Sequence, residues 1–424
     1  MIDVKRIVEH KEEVKKALLK RMSQEEIKLD EIVEAYNRRK ELQTKFEKER
    51  AQQNSFNTKM AQAQKGSSEF LEMVNNLKEL SSQVKLLEEK LKEADRELIS
   101  KLETLPNIPD DDVQGGGKEK NEVIKVVGEK PNFEFEIKDH VQLGESLGMF
   151  DFERATKLSG NGFSMYRGMG ARLEWALINY FVDEHLKDGY EMILPPHIVG
   201  RESGYAAGQL PKFEQDVYWV NQGEQFLIPT SETSLTNIYR DEILKEEELP
   251  KKLFSYTPCY RKEAGSYRTN ERGLIRVHQF NKVEMYHFTT KELADNSFEE
   301  LVEKAEKLVA GLGLHYRVSK LAAGDCSEGA AKTYDIEVWL PAIGTYYEVS
   351  SVSNDRDYQA RRGNMRYKSK DGSKTEYINT LNASGLATSR LMVAILETYQ
   401  NEDGTITVPE VLRKYVGVDK IENN

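Results

Sequence analysis

Cysteine is scarce in this chain of 424 residues, which contains only Cys259 and Cys326. Neither belongs to a CxxC pair, so the sequence holds no zinc-type spacing, and we expect two buried thiols in a reducing compartment. Long apolar runs are missing from the first residues, where charged and apolar side chains alternate. We therefore expect neither a secretory signal nor a membrane anchor there, which favours a cytoplasmic protein.

Several nucleotide-binding and hydrolytic motifs are also absent. No GxxxxGK[ST] loop occurs, and the glycine pairs at 168/170 and 311/313 lack the third glycine and the strand context of a dinucleotide site. None of the seven histidines forms an HxxxH pair, and no serine lies in a GxSxG turn. The two common nucleotide folds, zinc hydrolysis and Ser-His-Asp chemistry therefore lose support.

Proline does not occur before Pro106, and residues 28–103 are nearly all strong helix formers with one break at "KGSS" (65–68). So short a break predicts two antiparallel helices, each roughly 50 Å long at a rise of ~1.5 Å per residue. The second helix carries a heptad seam, formed by Met73, Leu77, Leu80, Val84, Leu87, Leu91, Ala94 and Leu98. The looser seam of the first consists of Ile32, Ala35, Leu42, Phe46, Phe56, Met60 and Ala63.

The distribution of charge suggests a use for this hairpin. The chain has a net charge of −11, yet residues 1–105 hold 22 Lys+Arg against 21 Asp+Glu, so the acidity lies in the remainder. Residues 38–65, near the predicted tip, hold eight basic and three acidic side chains. A basic rod on an acidic body suits contact with a phosphate backbone. A structural spacer or a dimerisation rod is the alternative.

Residues 105–122 combine prolines, an acidic run and three glycines, which predicts a flexible linker. It would join a first domain, 1–104, whose arm covers about 28–103, to a second domain, 123–424. In the second domain, strand-like runs joined by short turns alternate with amphipathic helices near 170–188 and 291–312. This pattern predicts an α+β domain, an antiparallel sheet with helices packed on it. The predicted strands are 190–196, 253–261, 275–288, 333–341 and 345–353.

One stretch, "YRKEAGSYRTNERGLIRVHQF" (260–280), is rich in cations. Strand alternation puts Arg261 and Glu263 on one face of the incoming strand, and Arg276, Phe280 and Glu284 on one face of the returning strand. A guanidinium for phosphate, an aromatic ring for a base and a carboxylate for an amine are the parts of an ATP site built on a sheet. A solvated charged hairpin explains the arginines but not the other two residues.

Two further segments add polar groups. "YYEVSSVSN" (346–354) is expected to place Glu348 and Ser350 on one strand face, where they would hold Mg²⁺ against phosphates. "NASGLATSR" (382–390) leads into a helix with Arg390 near its N-terminus, where anions are favoured.

Together these segments resemble the class II aminoacyl-tRNA synthetases, and among them the bacterial-type seryl-tRNA synthetases. Three class II signatures occur in order: "GYEMILPP" (189–196), the hairpin at 259–286 and "GLATSR" (385–390). The seryl-type stretches are "GARLEWALINYF", "GQLPKFEQD", "LIPTSETSLTN", "AAKTYDIEVWLP" and "QARRGNMRY". This family also uses an N-terminal helical hairpin to embrace the long variable arm of its tRNA, so the resemblance covers essentially the whole chain.

The resemblance implies a serine–tRNA ligase that uses ATP and Mg²⁺, forms a homodimer through 170–188 and "GYEMILPP", and works in the cytoplasm. It would convert L-serine to seryl-adenylate and charge the 3′-terminal adenosine of tRNA(Ser), and of tRNA(Sec) where present. An ordinary core helix is the alternative for 170–188.

The implied site residues fall into five groups. The catalytic residues would be Arg261, Glu348 and Arg390. The serine ligands would be Thr230, Ser231, Glu232, Arg261, Glu284 and Ser384. The ATP ligands would be Arg261, Lys262, Glu263, Arg272, Val277, Phe280, Glu348, Val349, Ser350, Ser351 and Arg390. The metal ligands would be Glu348 and Ser351, and tRNA contacts would come from Arg38, Arg39, Lys40 and Lys45.

Chemistry supports serine independently of the family. A pocket made from Thr230, Glu232, Glu284 and Ser384 pairs an ammonium and a hydroxyl, and alanine would leave polar atoms unpaired, a difference of up to ~10⁴-fold. Three alternatives stay open. They are an enzyme of the same fold that activates a small amino acid for another carrier, a catalytically silent tRNA-binding homologue, and a coiled-coil scaffold with an incidental domain.

Overall fold

The computed structural model describes residues 1–62, 67–263 and 272–423. Two compact units, Met1–Ile108 and Pro109–Asn424, make up the chain. Within the described residues, no helix is both long and apolar enough to span a membrane.

The first unit is helical. It contains α1 (Val4–Glu9), α2 (Lys11–Leu18), α3 (Leu29–Gln62) and α4 (Ser68–Leu102). The predicted hairpin is confirmed: α3 and α4 run antiparallel, as the cross-helix ion pairs Arg38–Glu97 and Arg39–Asp95 require. The seam residues Ile32, Ala35, Leu80, Val84, Leu91, Ala94 and Leu98 are buried. At the base of the hairpin, the apolar side chains of α1 and α2 complete a small core.

The second unit contains nine α-helices, three short 3-10 helices and sixteen strands within its described residues. The helices are α5 (His140–Ser146), α6 (Phe152–Ser159), α7 (Gly168–Lys187), α8 (Arg201–Ala206), α9 (Glu232–Leu235), α10 (Ala294–Gly311), α11 (Tyr358–Arg362), α12 (Thr388–Thr398) and α13 (Glu410–Val416). The strands are β1 (Glu122–Val127), β2 (Glu191–Met192), β3 (Ile198–Gly200), β4 (Tyr218–Val220), β5 (Gln225–Leu227), β6 (Ile243–Lys245), β7 (Lys251–Tyr260), β8 (Gln279–Thr289), β9 (Tyr316–Lys320), β10 (Lys332–Leu340), β11 (Thr345–Arg356), β12 (Arg366–Lys368), β13 (Thr375–Tyr377), β14 (Asn379–Ala387), β15 (Ile406–Thr407) and β16 (Lys420–Ile421).

The central sheet has eight strands in the order β1-β9-β10-β11-β14-β8-β7-β2. Its pairs are antiparallel except β2–β7, which is parallel, and the predicted strand at 190–196 shrinks to the two residues of β2. Alternate residues of each strand face opposite sides. On β8, Val283 and Met285 belong to the main hydrophobic core, to which α7, α10 and α12 contribute. The intervening residues, Lys282 and Glu284, therefore face the other side, where the polar groups gather.

The predicted linker, residues 105–122, contains the boundary between the two units. Leu105 lies in the core of the first unit. In the second unit, the carboxylate of Asp112 accepts hydrogen bonds from Lys320 at 2.6 Å and Lys332 at 2.8 Å. Basic side chains thus hold part of the acidic run within the second unit, and the flexibility of the segment as a whole stays a prediction.

Candidate functional site

A buried ion pair lies at the centre of the polar face of the sheet. Lys282 and Glu284, two residues apart on β8, form this pair with almost no exposure to solvent. The Lys282 ammonium also donates to Thr230 Oγ1 at 2.8 Å. Ser384 of β14 is the cross-strand partner of Glu284. Two of the four predicted serine-pocket residues thus contact one ammonium group that belongs to the protein, and a third, Ser384, lies beside Glu284 on the next strand.

The fourth predicted pocket residue, Glu232, begins α9. Burial, and next the negative charge of Glu284, raise the pKa of Glu232 to about 7. Gln359 of α11 fixes the orientation of this carboxyl group, because its Nε2 donates to Glu232 Oε1 at 2.7 Å and to the Ala207 carbonyl at 3.2 Å. The Gln359 oxygen accepts from two buried hydroxyl groups at 2.7 Å, so the amide cannot rotate without losing partners.

Arg261 stands between two adjoining cavities. The larger, of about 530 Å³, is lined by Thr230, Glu232 and Gln359 and also by Arg261 and Glu263. The smaller, of about 90 Å³, is lined by the same Arg261 and Glu263 on its other side. Arg261 Nε donates to the Pro229 carbonyl at 3.2 Å, which holds the guanidinium in place. A ligand that fills both cavities must pass this arginine.

The smaller cavity combines cations with one aromatic ring. Phe280 lines it, and the Arg261 guanidinium carbon lies 5.2 Å from the centre of that ring. Arg276 Nη1 pairs with Glu263 Oε2 at 2.5 Å, and Arg390 Nη1 donates to the Glu348 carbonyl at 2.8 Å. Three guanidinium groups beside an aromatic face suit a nucleotide with its phosphates.

Comparison with known proteins identifies the architecture. Residues 1–109 match the domain family described as "Seryl-tRNA synthetase N-terminal domain". Residues 216–399 match the family described as "tRNA synthetase class II core domain (G, H, P, S and T)". The chain is 54% identical over 427 residues to Serine--tRNA ligase 2 of Clostridium acetobutylicum, with 99% of this chain and 100% of that protein covered. The chain belongs to the seryl-tRNA synthetase family.

Other members of the seryl-tRNA synthetase family agree with this. The Serine--tRNA ligase of Geobacter sulfurreducens is 45% identical, with 98% of this chain and 99% of that protein covered. A crystal structure of the seryl-tRNA synthetase from Pyrococcus horikoshii, complexed with ATP, superposes with a TM-score of 0.90 at 34% identity over the whole of both chains. The cytoplasmic Serine-tRNA ligase of Naegleria fowleri, in complex with AMP, gives a TM-score of 0.83 at 26% identity, covering 100% of this chain and 99% of that one.

Most predicted nucleotide ligands line the smaller cavity. They are Arg261, Glu263, Val277, Phe280, Glu348, Val349 and Arg390. Ser384, which was predicted as a serine ligand, also lines this cavity and not the larger one. Lys262 lines neither cavity and lies with its Nζ 5.9 Å from the centre of the Tyr218 ring. Ser231 is fully buried under α9. The roles of these residues stay predictions.

One geometric expectation was wrong. Glu348 and Ser350 do not share a strand face, because a β-bulge interrupts the pairing of β10 with β11. Glu348 pairs with Glu337 and Ser350 with the neighbouring Ile336, so the two point to opposite sides. The Ser350 hydroxyl instead donates to the Ser384 carbonyl at 2.6 Å. Ser351 takes the place that the alternation rule gave to Ser350.

Arg276 lies where strand alternation placed it, whereas Arg272, a predicted ATP ligand, lies outside the smaller cavity. Arg272 forms an ion pair with Asp139 and lines a neighbouring cavity of about 280 Å³. Arg276 lies beside Arg261 in the smaller cavity. Sequence reasoning placed Arg276 on the same strand face as Phe280 but did not assign it to ATP. The spacing R-x-x-x-F on an alternating strand was the available signal.

The oxygen atoms of Glu348, Ser351 and Asp335 fit a hard divalent cation. Ser351 pairs with Asp335 across the strands, and Asp335 Oδ1 is shielded from solvent without a hydrogen-bond partner in the described part of the chain. Burial, and next the charge of Glu348, raise the pKa of Asp335 well above its usual range. In the same part of the chain no group of three or more acidic, His or Cys side chains forms a complete metal cage. Magnesium, which keeps waters and phosphate oxygens as ligands, does not need one.

The basic residues of the arm differ in their surroundings. Arg38 and Arg39 pair with Glu97 and Asp95 of the opposite helix at 3.0 and 2.8 Å. Lys40 and Lys45 are exposed. The two arginines therefore have carboxylate partners across the hairpin, whereas the two lysines project from it.

Proposed function

We propose that the chain is a serine–tRNA ligase. The reaction would join L-serine to ATP as seryl-adenylate, release pyrophosphate, and then charge the 3′-terminal adenosine of tRNA(Ser). The observation that carries this proposal is the position of Arg261, which lines both a pocket with buried carboxylates and a cavity with cations and an aromatic ring. An adenylate joins those two chemistries at one phosphate.

The pocket side suits serine. Thr230 and Glu232 line the larger cavity. Glu232 and Glu284 would offer negative charge to the ammonium group, while Thr230 and Ser384 would offer hydroxyl groups to a small side chain. The pocket is mostly buried, so an amino acid without a hydroxyl group would leave polar atoms unpaired. The serine carboxylate would then point to Arg261, which neutralises its charge as it attacks phosphorus.

The cavity side suits ATP. Phe280 would stack on the adenine ring, Glu263 would accept from the adenine amine, and Arg276 and Arg390 would hold the outer phosphates. Arg261 would contact the α-phosphate, where negative charge increases in the transition state. Positioning and fixed charge of this kind carry most of the catalysis in phosphoryl and adenylyl transfer. The ATP and AMP named in the two related structures support this assignment.

Glu348 and Ser351 would hold Mg²⁺, with Asp335 beneath them. When bound, the ion would neutralise phosphate charge and orient the pyrophosphate as leaving group. The unpartnered Asp335 oxygen is the feature of this chain that supports a cation at this place.

The helical hairpin would bind tRNA(Ser), and tRNA(Sec) where present, through its exposed basic side chains. Electrostatic contact with phosphates needs projecting cations, and Lys40 and Lys45 meet that requirement better than the paired Arg38 and Arg39.

We extend the proposal to a cytoplasmic homodimer. Trp175 on α7 and Leu194 after β2 are 55% and 73% exposed, which is costly for an isolated surface and suits an interface between two copies.

Charging of unfractionated tRNA tests the proposal. The purified chain, Mg²⁺, ATP and radiolabelled amino acid would be incubated with total tRNA, using serine, threonine, alanine and glycine in parallel. We expect acid-precipitable label with serine alone. Charging with another amino acid, or activation of serine without any transfer to tRNA, would replace the proposed function with one of the alternatives.

A further inference from the structure

A buried chain of contacts outside the two cavities ends on residues 274–276, the segment that carries Arg276. Glu397, near the C-terminal end of α12, is fully buried, and its Oε1 lies 3.1 Å from His140 Nδ1. The other nitrogen of this imidazole, Nε2, accepts a hydrogen bond of 3.2 Å from the backbone N–H of Leu274. Leu274 belongs to the cation-rich stretch 260–280 and precedes Arg276 by two residues.

The direction of these bonds fixes the state of the imidazole. Because the Leu274 N–H donates to Nε2, that nitrogen carries a lone pair, and the proton must be on Nδ1, from which it is donated to Glu397. Glu397 is itself held by the backbone N–H groups of His140 at 3.2 Å and Ala342 at 3.1 Å. The carboxylate therefore orients the ring, and the ring presents one acceptor to the hairpin.

The same helix holds the next residue of the hairpin directly. Arg390 Nε donates to the Ile275 carbonyl at 3.1 Å. Arg390 and Glu397 are seven residues apart on α12, which puts them on one face of the helix. Leu274 and Ile275 are thus tied to a single helix face, one through His140 and the other through Arg390. Gly273 packs directly against the His140 ring. A Cβ at this position would lie 2.2 Å from His140 Nε2, so a larger residue would push the segment away from the ring.

We propose that His140, oriented by Glu397, is a positioning residue for the phosphate grip on ATP. It does not line the smaller cavity. It sets the backbone at Leu274, and so the point from which the Arg276 side chain reaches that cavity opposite Arg390. This inference rests on the proposed function and adds to it a residue pair that fixes the affinity for ATP but not for serine.

Two substitutions of nearly equal size separate this role from general stability. His140→Gln places an amide oxygen close to the Nε2 position and retains the acceptor for Leu274. His140→Asn retains a donor close to the Nδ1 position and loses that acceptor. In serine-dependent ATP–pyrophosphate exchange, we expect His140→Asn to raise the KM for ATP about tenfold and to leave the KM for serine within twofold. His140→Gln should stay within about threefold of the natural chain for both substrates.

Two measurements keep the test independent of activity. Calorimetric titration with a non-hydrolysable ATP analogue should show the same tenfold loss in His140→Asn, and hydrogen exchange at the Leu274 amide should quicken in that variant alone. If His140→Asn does not fold, Gly273→Ala serves instead, because its methyl group pushes the segment from His140 without removing the ring. Equal ATP affinity in the Asn and Gln variants, or a matching loss for serine and ATP, would overturn the inference. If the natural chain shows no ATP–pyrophosphate exchange, that result counts against the proposed function only. The calorimetric titration and the hydrogen exchange at Leu274 still test the role of His140.

Discussion

Lys282 and Glu284 form a buried ion pair in which the ammonium group also contacts Thr230. Two of the predicted serine ligands, Glu284 and Thr230, are therefore partnered in the free protein by an ammonium group of the chain. Sequence reasoning did not assign Lys282, although its place two residues before Glu284 on one strand face was readable. Serine binding would require Glu284 to share its negative charge between two ammonium groups, that of Lys282 and that of serine.

Replacing Lys282 with methionine should destabilise the chain strongly. Glu284 would then be a buried carboxylate without a cation, and removal of one partner from such a pair costs about 3–5 kcal/mol. Denaturant unfolding at pH 8 measures the loss. The double variant Lys282→Met/Glu284→Gln is the control: it removes both charges and should recover most of the free energy of unfolding without recovering serine activation. A single-variant loss below about 1 kcal/mol would show that the pair is not buried in solution.

The affinity for serine should increase with pH near neutrality. Because the pKa of Glu232 is raised to about 7, this carboxyl group is largely protonated at pH 6 and ionised at pH 8. An ammonium ligand prefers the ionised form, so binding below pH 7 must release a proton. We expect the KM for serine to fall by about tenfold between pH 6 and pH 8. Glu232→Gln should bind serine more weakly and flatten this dependence. A KM that stays constant or rises with pH in the natural chain would contradict the assignment.

A second buried carboxyl group should make the stability pH-dependent. Glu174 of α7 accepts from Asn281 Nδ2 at 2.8 Å and Thr388 Oγ1 at 2.5 Å, and so ties α7 to β8 and α12. Burial raises its pKa to about 7. The folded chain keeps this proton up to about pH 7, whereas an unfolded glutamate loses it near pH 4.5, so the stabilising effect of the neutral form declines as the pH rises between those values.

Glu174→Gln removes that titration. The free energy of unfolding of the variant, relative to the natural chain, should therefore increase by about 1–3 kcal/mol from pH 5 to pH 8. Denaturant titrations of both proteins at four pH values measure this difference. If the difference is the same at every pH, then Glu174 titrates normally in the folded chain and the tie to Asn281 and Thr388 is looser than described.

The arm lysines should matter more for tRNA than the arm arginines. Lys40→Ala/Lys45→Ala should raise the KM for tRNA by about tenfold, lower the salt dependence of tRNA binding by about two units of slope, and leave ATP–pyrophosphate exchange unchanged. Arg38→Ala/Arg39→Ala is the matched control of equal charge. It should cost more in hairpin stability than in tRNA binding, about 0.5 kcal/mol for each exposed pair. A larger tRNA defect in the arginine variant would reverse the assignment.

Repeating sequence patterns predicted the helices and strands, whereas a single irregularity in one strand was enough to misplace a predicted site residue. The heptad spacing predicted α4, and its seam residues Leu80, Val84, Leu91 and Leu98 are buried. Alternation placed Phe280 and Glu284 correctly on β8, whose pairing with β7 is regular. The same rule failed at Ser350, since one inserted residue in β11 reverses the faces that follow.

Contacts distant in sequence could not be read in this way. Gln359 meets Glu232 across 127 residues, and Glu397 meets His140 across 257. No local spacing encodes either distance. The family resemblance placed Arg272 among the ATP ligands, and in the structure it pairs with Asp139, which is far away in sequence. Which arginine reaches the cavity depends on that tertiary contact.

The most direct measurement of the central claim is amino-acid-dependent ATP–pyrophosphate exchange with all twenty amino acids, with and without Mg²⁺. A pocket of buried carboxylates and hydroxyl groups joined through Arg261 to a nucleotide cavity predicts exchange with serine alone and only in the presence of Mg²⁺. Exchange with a different amino acid would contradict the pocket assignment, and no exchange with any amino acid would contradict the claim that these two cavities form an adenylation site.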